Sequence, residues 1–481
     1  MCDKSAVAKV EQVEIAPLHP ERYEEVMAPT QVAEFQRDRK LAKALFNGRT
    51  VWNVNSTAAG GGVAEMLRSL IAYARGADVD CRWVVIEGTP DFFTITKRLH
   101  NNLHDFAGDG GPLGDWERRQ YEEALAQSCD EFCRMVGPRD IVLLHDPQTA
   151  GLIPRLKAAG VPVIWRCHVG IDNPTDLVRT AWNFLRPYVL EADAYVFSRK
   201  SFVWDGLEPA KTNLIMPSID AFSSKNRELD DDAIRAILVG AGLVAGSESA
   251  DAARYVREDG SEAAIENRAT LYETAPLQMN DRTVLQVSRW DTLKDPLGVI
   301  TGFAEHVVPH SDAHLVYAGP AVEAVSDDPE GKKVLEDAIN AWKALPDEQR
   351  ARIHLATLPM VDGEENAAMV NALQRHAYAV VQKSTAEGFG LTVAEAMWKA
   401  RPVVASSIGG IQDQIEDGKT GILLQDPADL QVYGRAVVAL LDDRQWAEGI
   451  GKAAQERVRD EFLGARSLIQ YMKLMGSLIE A

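Results

Sequence analysis

Short apolar runs alternate with amphipathic stretches along most of this chain, and they do so in two separate series. TVWNVNS is followed by GGGVAEMLRSLIAYARG and then CRWVVIEG. Strand, glycine loop, helix, strand is the pattern of a parallel sheet with helices on its faces. DIVLLHDP, TAGLIPRLKAAG, VPVIWRCHV, ADAYVFSR and TNLIMPSID continue the series. After an acidic stretch a second series opens with RTVLQVSRW and runs through DPLGVITGFAEHV, AHLVYAGP, ARIHLATL, YAVVQKS, PVVASS and GILLQ. The pattern predicts two Rossmann-like, doubly wound α/β domains in tandem, with the ligand in a central cleft faced by the carboxyl ends of both sheets.

The 481 residues suit two large domains or three small ones, at about 100 to 200 residues per domain. The expected boundaries are a polar, proline-punctuated appendage over 1–38, a first domain over 39–225, an acidic connector or insertion over 226–277 packed on the outside, a second domain over 278–455, and a terminal helix over 456–481 that returns to the first domain.

Hydrophobic residues at 46% and charged residues at 25% are the balance of a soluble globular protein. With 51 Lys and Arg against 71 Asp and Glu, the net charge of −20 argues against nucleic acid or an anionic membrane as partner. The N-terminus carries acids and lysines where a signal peptide needs an apolar run, and no stretch approaches about 18 apolar residues, so a cytoplasmic protein is expected. Cys2, Cys81, Cys129, Cys133 and Cys167 are odd in number and scattered, which disfavours a disulfide framework or a zinc site. Cys129 and Cys133 would share a helix face as two small side chains, and Asp230 to Asp232 and Asp327–Asp328 read as solvated loop or helix-start acids. No metal is expected.

The richest segment for chemistry is STAEGFGLTVAEAMWKARPVVASSIGG. After the strand YAVVQKS, a loop with Glu387, Gly388, Phe389 and Gly390 runs into a helix that begins near Leu391 and contains Glu395. Glycines let backbone approach a ligand, and free N–H groups at a helix start suit a diphosphate. Glu395, about one turn inside, could accept hydrogen bonds from a ribose diol, and Glu387 from a sugar hydroxyl. Two isolated glutamates would read more simply as solvated helix-start carboxylates. The GFGL loop and the second glycine turn at Gly409–Gly410 shift the balance. Arg289 and Lys294, five apart at the end of the strand TVLQV, are cations suited to a leaving diphosphate. Gly60 to Gly62 follow the first strand without the ending of a P-loop or a dinucleotide fingerprint. His145, Arg166 and His168 fall at strand carboxyl ends, where reactive groups collect, although a buried histidine satisfied by backbone is an equal alternative.

The segment AEGFGLTVAEAMWKARPVVASSIGGIQDQIEDGKTGILL resembles the E-x7-E region of the family 4 retaining glycosyltransferases, which have the GT-B fold, and SRWDTLK resembles their Arg/Lys diphosphate clamp. VWNVNSTAAGGGVAEMLRSLI, WVVIEGTPDFFTITKRLHNNL, HDPQTAGLI, WRCHVGIDNP and LIMPSIDAFSSKN look like the trehalose glycosyltransferring synthases, a group that includes trehalose phosphorylases. The resemblance implies a retaining enzyme that moves glucose from UDP-glucose, ADP-glucose or GDP-glucose to free glucose, reversibly and with no cofactor. A phosphorylase using glucose 1-phosphate, or a relative with another acceptor, is the alternative; a non-catalytic binding protein and a sugar-nucleotide epimerase are weaker ones. It also implies roles. Arg289 and Lys294 would bind the diphosphate and stabilise the leaving group, and Glu395 would hold the ribose. Glu387 and the amides of Gly388, Phe389, Gly390 and Leu391 would grip the glucose. Gly61 and Gly62 would approach the donor, His145 would contact the donor sugar, and Arg166 and His168 would shape the acceptor side. The partners are then small sugars and nucleotide sugars, and the pattern leaves room for a homodimer.

Overall fold

The computed structural model describes residues 10–58, 61–247, 253–322 and 329–480. Cys2, Gly60 and the Asp327–Asp328 pair lie outside them. The chain divides into two compact units, one running to Ser218 and resuming at Phe462, the other spanning Ile219–Glu461.

In the first sheet the runs Ile141–His145, Val163–Cys167 and Ala194–Phe197 are buried along their whole length, as parallel strands covered on both faces must be. Its strands are β1 (Val10–Val13), β2 (Thr50–Asn55), β3 (Asp80–Ile86), β4 (Ile141–His145), β5 (Val163–Cys167), β6 (Ala194–Phe197) and β7 (Thr212–Leu214), in the spatial order β1-β3-β2-β4-β5-β6-β7. Alternation along β2 sends Trp52 and Val54 to one core, with Trp165, Tyr121 and Phe184, and Val51 to the other, with Leu143, Met66 and Tyr471.

The second sheet comprises β10 (Thr270–Tyr272), β11 (Thr283–Val287), β12 (His314–Pro320), β13 (Ile353–Leu358), β14 (Ala379–Gln382), β15 (Val403–Ser406) and β16 (Ile422–Leu424), ordered β10-β13-β12-β11-β14-β15-β16. A separate hairpin pairs β8 (Arg254–Val256) with β9 (Glu262–Ala264). In each large sheet one edge strand, β1 or β10, runs antiparallel to its neighbour, and the remaining pairs are parallel. The central strands β2 and β11 carry sequence-adjacent chemistry to their carboxyl ends.

Two expectations about organisation need correction. The segment before residue 38 is no appendage: β1 pairs with β3, from Val10 opposite Ile86 to Val13 opposite Trp83, and Tyr23 and Phe35 are buried. Nor is 226–277 an external connector. The helix Asp231–Gly240, capped by the Asp230 carboxylate accepting from the Ala233 N–H at 2.8 Å, buries Ile234, Ile237 and Leu238, and β10 extends the second sheet. Acidic surface residues masked this apolar stripe. The helix Gly464–Glu480 belongs to the first unit, where Arg466 donates to the Met216 carbonyl at 2.8 Å and Ser467 meets the Ser218 hydroxyl at 2.9 Å.

Candidate active site

In the second unit the carboxyl ends of β11 and β14 are tied together. The Thr385 N–H donates to the Leu293 carbonyl at 2.8 Å. Gln286, fully buried in β11, donates through Nε2 to the Lys294 carbonyl at 2.8 Å and accepts from the Lys383 N–H at 3.2 Å. Asp295 adopts a left-handed conformation (φ 49°), caps the helix Pro296–His306 by accepting from the Gly298 N–H at 3.0 Å, and forms an ion pair with the fully buried Lys383 ammonium. This framework delivers Lys294 Nζ to 2.5 Å from Glu387 Oε2. Two of the residues singled out by the sequence are therefore direct partners, although 93 positions separate them. Arg289 is more open, 56% exposed, with Asp291 at 3.3 Å.

The glycine loop owes its shape to backbone packed on backbone. Gly390 is left-handed (φ 83°) and starts the helix Leu391–Trp398 without a side-chain cap. Gly409 has φ 47°, and a Cβ there would fall 1.8 Å from the Glu387 carbonyl oxygen. The Gly410 N–H donates to the Gly388 carbonyl at 2.9 Å, and buried Gln414 donates to the carbonyl of Phe389 at 2.5 Å. Loop carbonyls are thus turned inward to protein donors. Glu395 is 3% exposed; its Oε1 lies 3.7 Å from Lys225 Nζ, and its buried Oε2 accepts no hydrogen bond from the described residues. Lys399, one turn further, is buried among Asn226, Gln374 and the Glu395 carbonyl, and burial pushes its pKa well below the usual lysine range.

In the first unit His145, Arg166 and His168 come together at the ends of β4 and β5. His145 is 1% exposed, with Nδ1 at 3.1 Å from His168 Nε2 and Nε2 at 3.3 Å from Asn53 Oδ1. Both ring nitrogens face protein partners. Arg166 is likewise 1% exposed and donates to the Ile215 and Phe197 carbonyls and to Ser198 Oγ. Its guanidinium is taken up by these protein acceptors. His168 is half-buried and the outermost of the three. Burial, then the Arg166 charge, pushes His145 down to about 3, and the same causes push His168 well below its usual value. The helix expected after the glycine run begins at Gly61, with Gly62 in its first turn.

Several residues at these sites escaped the sequence reading. Asp146 is left-handed (φ 62°), accepts from the His168 backbone N–H at 2.8 Å, and is pushed up to about 7 by burial. Asn53, Gln286, Lys383 and Gln414 were missed as well. A polar side chain at the end of a buried strand run, as in TVWNVN, TVLQV and VVQKS, was the signal available. Among the described residues no group of three or more His, Cys, Asp or Glu could hold a metal ion, and no helix is long and apolar enough to cross a membrane.

Two family models match the chain: "Trehalose synthase, N-terminal domain" over residues 53–204, and "Glycosyl transferases group 1" over 268–457. The trehalose synthase of Rubrobacter xylanophilus is 34% identical over 440 residues, covering 90% of this chain and 91% of that one. The chain belongs to the trehalose synthase family. It is a hexosyltransferase of the group 1 glycosyl transferases. The family has more distant kin: a trehalose phosphorylase of Grifola frondosa is 25% identical, over 92% of this chain and 58% of its own length. Among solved structures, a UDP-forming α,α-trehalose-phosphate synthase from Burkholderia xenovorans in complex with glucose-6-phosphate superposes with a TM-score of 0.64 at 13% identity, over 89% of this chain and all of that one. The GT-B class expected from the sequence is the observed fold.

Proposed function

We propose that the protein is a retaining glucosyltransferase that makes trehalose from a nucleotide diphosphate glucose and free glucose. The observation that carries this reading is Glu395, a buried carboxylate with an unpartnered oxygen, one turn inside an uncapped helix start. A buried acceptor of this kind is costly unless a ligand completes it, and a ribose diol beside a diphosphate supplies two donors. Lys294 and Arg289 bind the diphosphate. Glu387 and the amides from Gly388 to Leu391 hold the glucose, with Gly61 and Gly62 near the donor. His168 borders the acceptor, and His145 and Arg166 hold it in place.

In the proposed step the bond from glucose C1 to the diphosphate oxygen breaks while a bond from C1 to the acceptor oxygen forms on the same face. The acceptor proton passes to the departing phosphate oxygen. Charge grows on the diphosphate as it leaves, so fixed cations and prior positioning supply most of the acceleration. UDP, ADP and GDP are the candidate leaving groups, and the UDP-forming activity in the name of the Burkholderia protein makes UDP-glucose the first to try.

The test incubates the protein with glucose and, in turn, UDP-, ADP- and GDP-glucose or glucose 1-phosphate, and reads products by proton NMR. A non-reducing α,α-linked disaccharide with release of the nucleoside diphosphate is expected. The same disaccharide from glucose 1-phosphate alone would make the protein a phosphorylase, and none from any donor would require a different acceptor.

A further inference from the structure

Four side chains in the first unit form a hydrogen-bond chain whose two ends fix its direction. At one end Arg166 Nε lies 3.4 Å from His168 Nδ1. A guanidinium only donates, so His168 Nδ1 must be a bare acceptor, and the proton of the neutral ring is on Nε2. Nε2 lies 3.1 Å from His145 Nδ1, which must then accept, leaving the His145 proton on its own Nε2. That N–H meets Asn53 Oδ1 at 3.3 Å, while Asn53 Nδ2 donates to Cys81 Sγ at 3.3 Å. Turning the Asn53 amide over would present N–H to N–H at His145, or reverse the chain and set an imidazole N–H against the Arg166 guanidinium. The ends agree on one arrangement.

The surroundings admit no other. The rings lie within 15° of parallel, and an apolar cavity of about 100 Å³, lined by Met66, Leu70, Tyr471 and Met475, also reaches Asn53 and His145. A proton added to either ring would face a donor already in place. Cys81, Asp146, Arg166, Cys167 and Tyr471 are titratable or charged groups close to the chain, and Asp38 and Arg39 line the same cavity. Of the two carboxylates, Asp146 is engaged by the His168 backbone N–H, and Asp38 lies beside Arg37 and Lys473.

We propose that Asn53 is a positioning residue which, with Arg166, holds His145 and His168 as neutral rings, each protonated on Nε2 alone. His168 then has no ring N–H to give a ligand and presents its carbon edge, which suits the C–H face of a sugar rather than a hydroxyl. The kinetic consequence rests on the proposed function; the proton arrangement does not.

The test is nitrogen-15 NMR of the full chain labelled in its histidine rings, with signals assigned by their loss in His145→Gln and His168→Gln. Both rings are expected to show the neutral Nε2–H pattern from about pH 6 to 8. An Nδ1–H form or an imidazolium at either ring would overturn the proposal. Asn53→Asp keeps the acceptor and should keep the His145 Nε2–H signal. Asn53→Leu removes it and should give mixed ring forms with turnover reduced on the order of ten- to a hundredfold, as a displaced site allows. Unchanged ring signals in Asn53→Leu would also overturn it, and if that variant does not fold the unsubstituted protein decides. Ring signals as expected with no disaccharide formed would sink the function and leave this proposal standing.

Discussion

Glu387 has two partners to serve: Lys294 at 2.5 Å in the structure and, as proposed, a sugar hydroxyl in the complex. Glu387→Gln removes the carboxylate that neutralises Lys294 and should lower turnover about a hundredfold, the scale of one lost transition-state contact. It should also leave UDP bound at least as tightly, because the freed ammonium meets the diphosphate without competition. Calorimetry with UDP beside steady-state kinetics checks the split, and weaker UDP binding with turnover unchanged would show that Glu387 acts on binding alone. Asp146 predicts a pH effect on stability. Its folded pKa of about 7 lies above the ordinary 3.8, so the folded state holds a proton the unfolded state releases, and stability falls as pH rises between those values. Asn keeps the acceptor for His168 and tolerates φ 62°. Asp146→Asn should therefore raise the melting temperature relative to the unsubstituted protein at pH near 8 and little at pH near 4, and an equal effect at both would refute the buried charge.

Among the elements, the turn between β11 and the helix Pro296–His306 carries the heaviest demand. Asp295 is at once helix cap, left-handed turn residue and partner of buried Lys383. Asp295→Ala strands an ammonium with no exposure and should cost about 3–5 kcal/mol, the penalty for breaking a buried pair from one side. Urea unfolding measures it, and a loss below about 1 kcal/mol would mean Lys383 finds another partner or sheds its proton. Strand existence in this unit was legible because continuous apolar runs bounded by glycine and proline leave few alternatives. The links between strand ends were not, since Thr385 with Leu293, or Gln286 with Lys383, depend on register across the sheet.

At the level of the whole chain, the helix Gly464–Glu480 completes a unit whose remainder ended more than 240 residues earlier. It buries Tyr471 and Met475 against the core shared with Met66 and Leu143. Two large side chains at about 1.5–3 kcal/mol each make the helix worth more than about 3 kcal/mol to that unit. Deleting residues 464–481 should lower the melting transition of the first unit and leave that of the second, which has its own core. Calorimetry resolves the two, and a uniform shift of both would contradict independent cores.

The sequence by itself determined the two α/β series, the loops that bear Glu387 and Glu395, the cations at the end of β11 and the family, because periodicity and glycine placement act over a few residues at a time. Only the tertiary structure decided that residues 10–38 and the described residues of the acidic 226–277 stretch contribute to sheets and cores. It also turned the polar atoms of His145 and Arg166 to protein partners and brought Asn53 and Asp146 to their side. Those outcomes depend on which polar groups lose water and which partners a fold provides across tens to hundreds of residues. A histidine facing solvent and one facing an asparagine 92 positions away leave the same letter in the sequence.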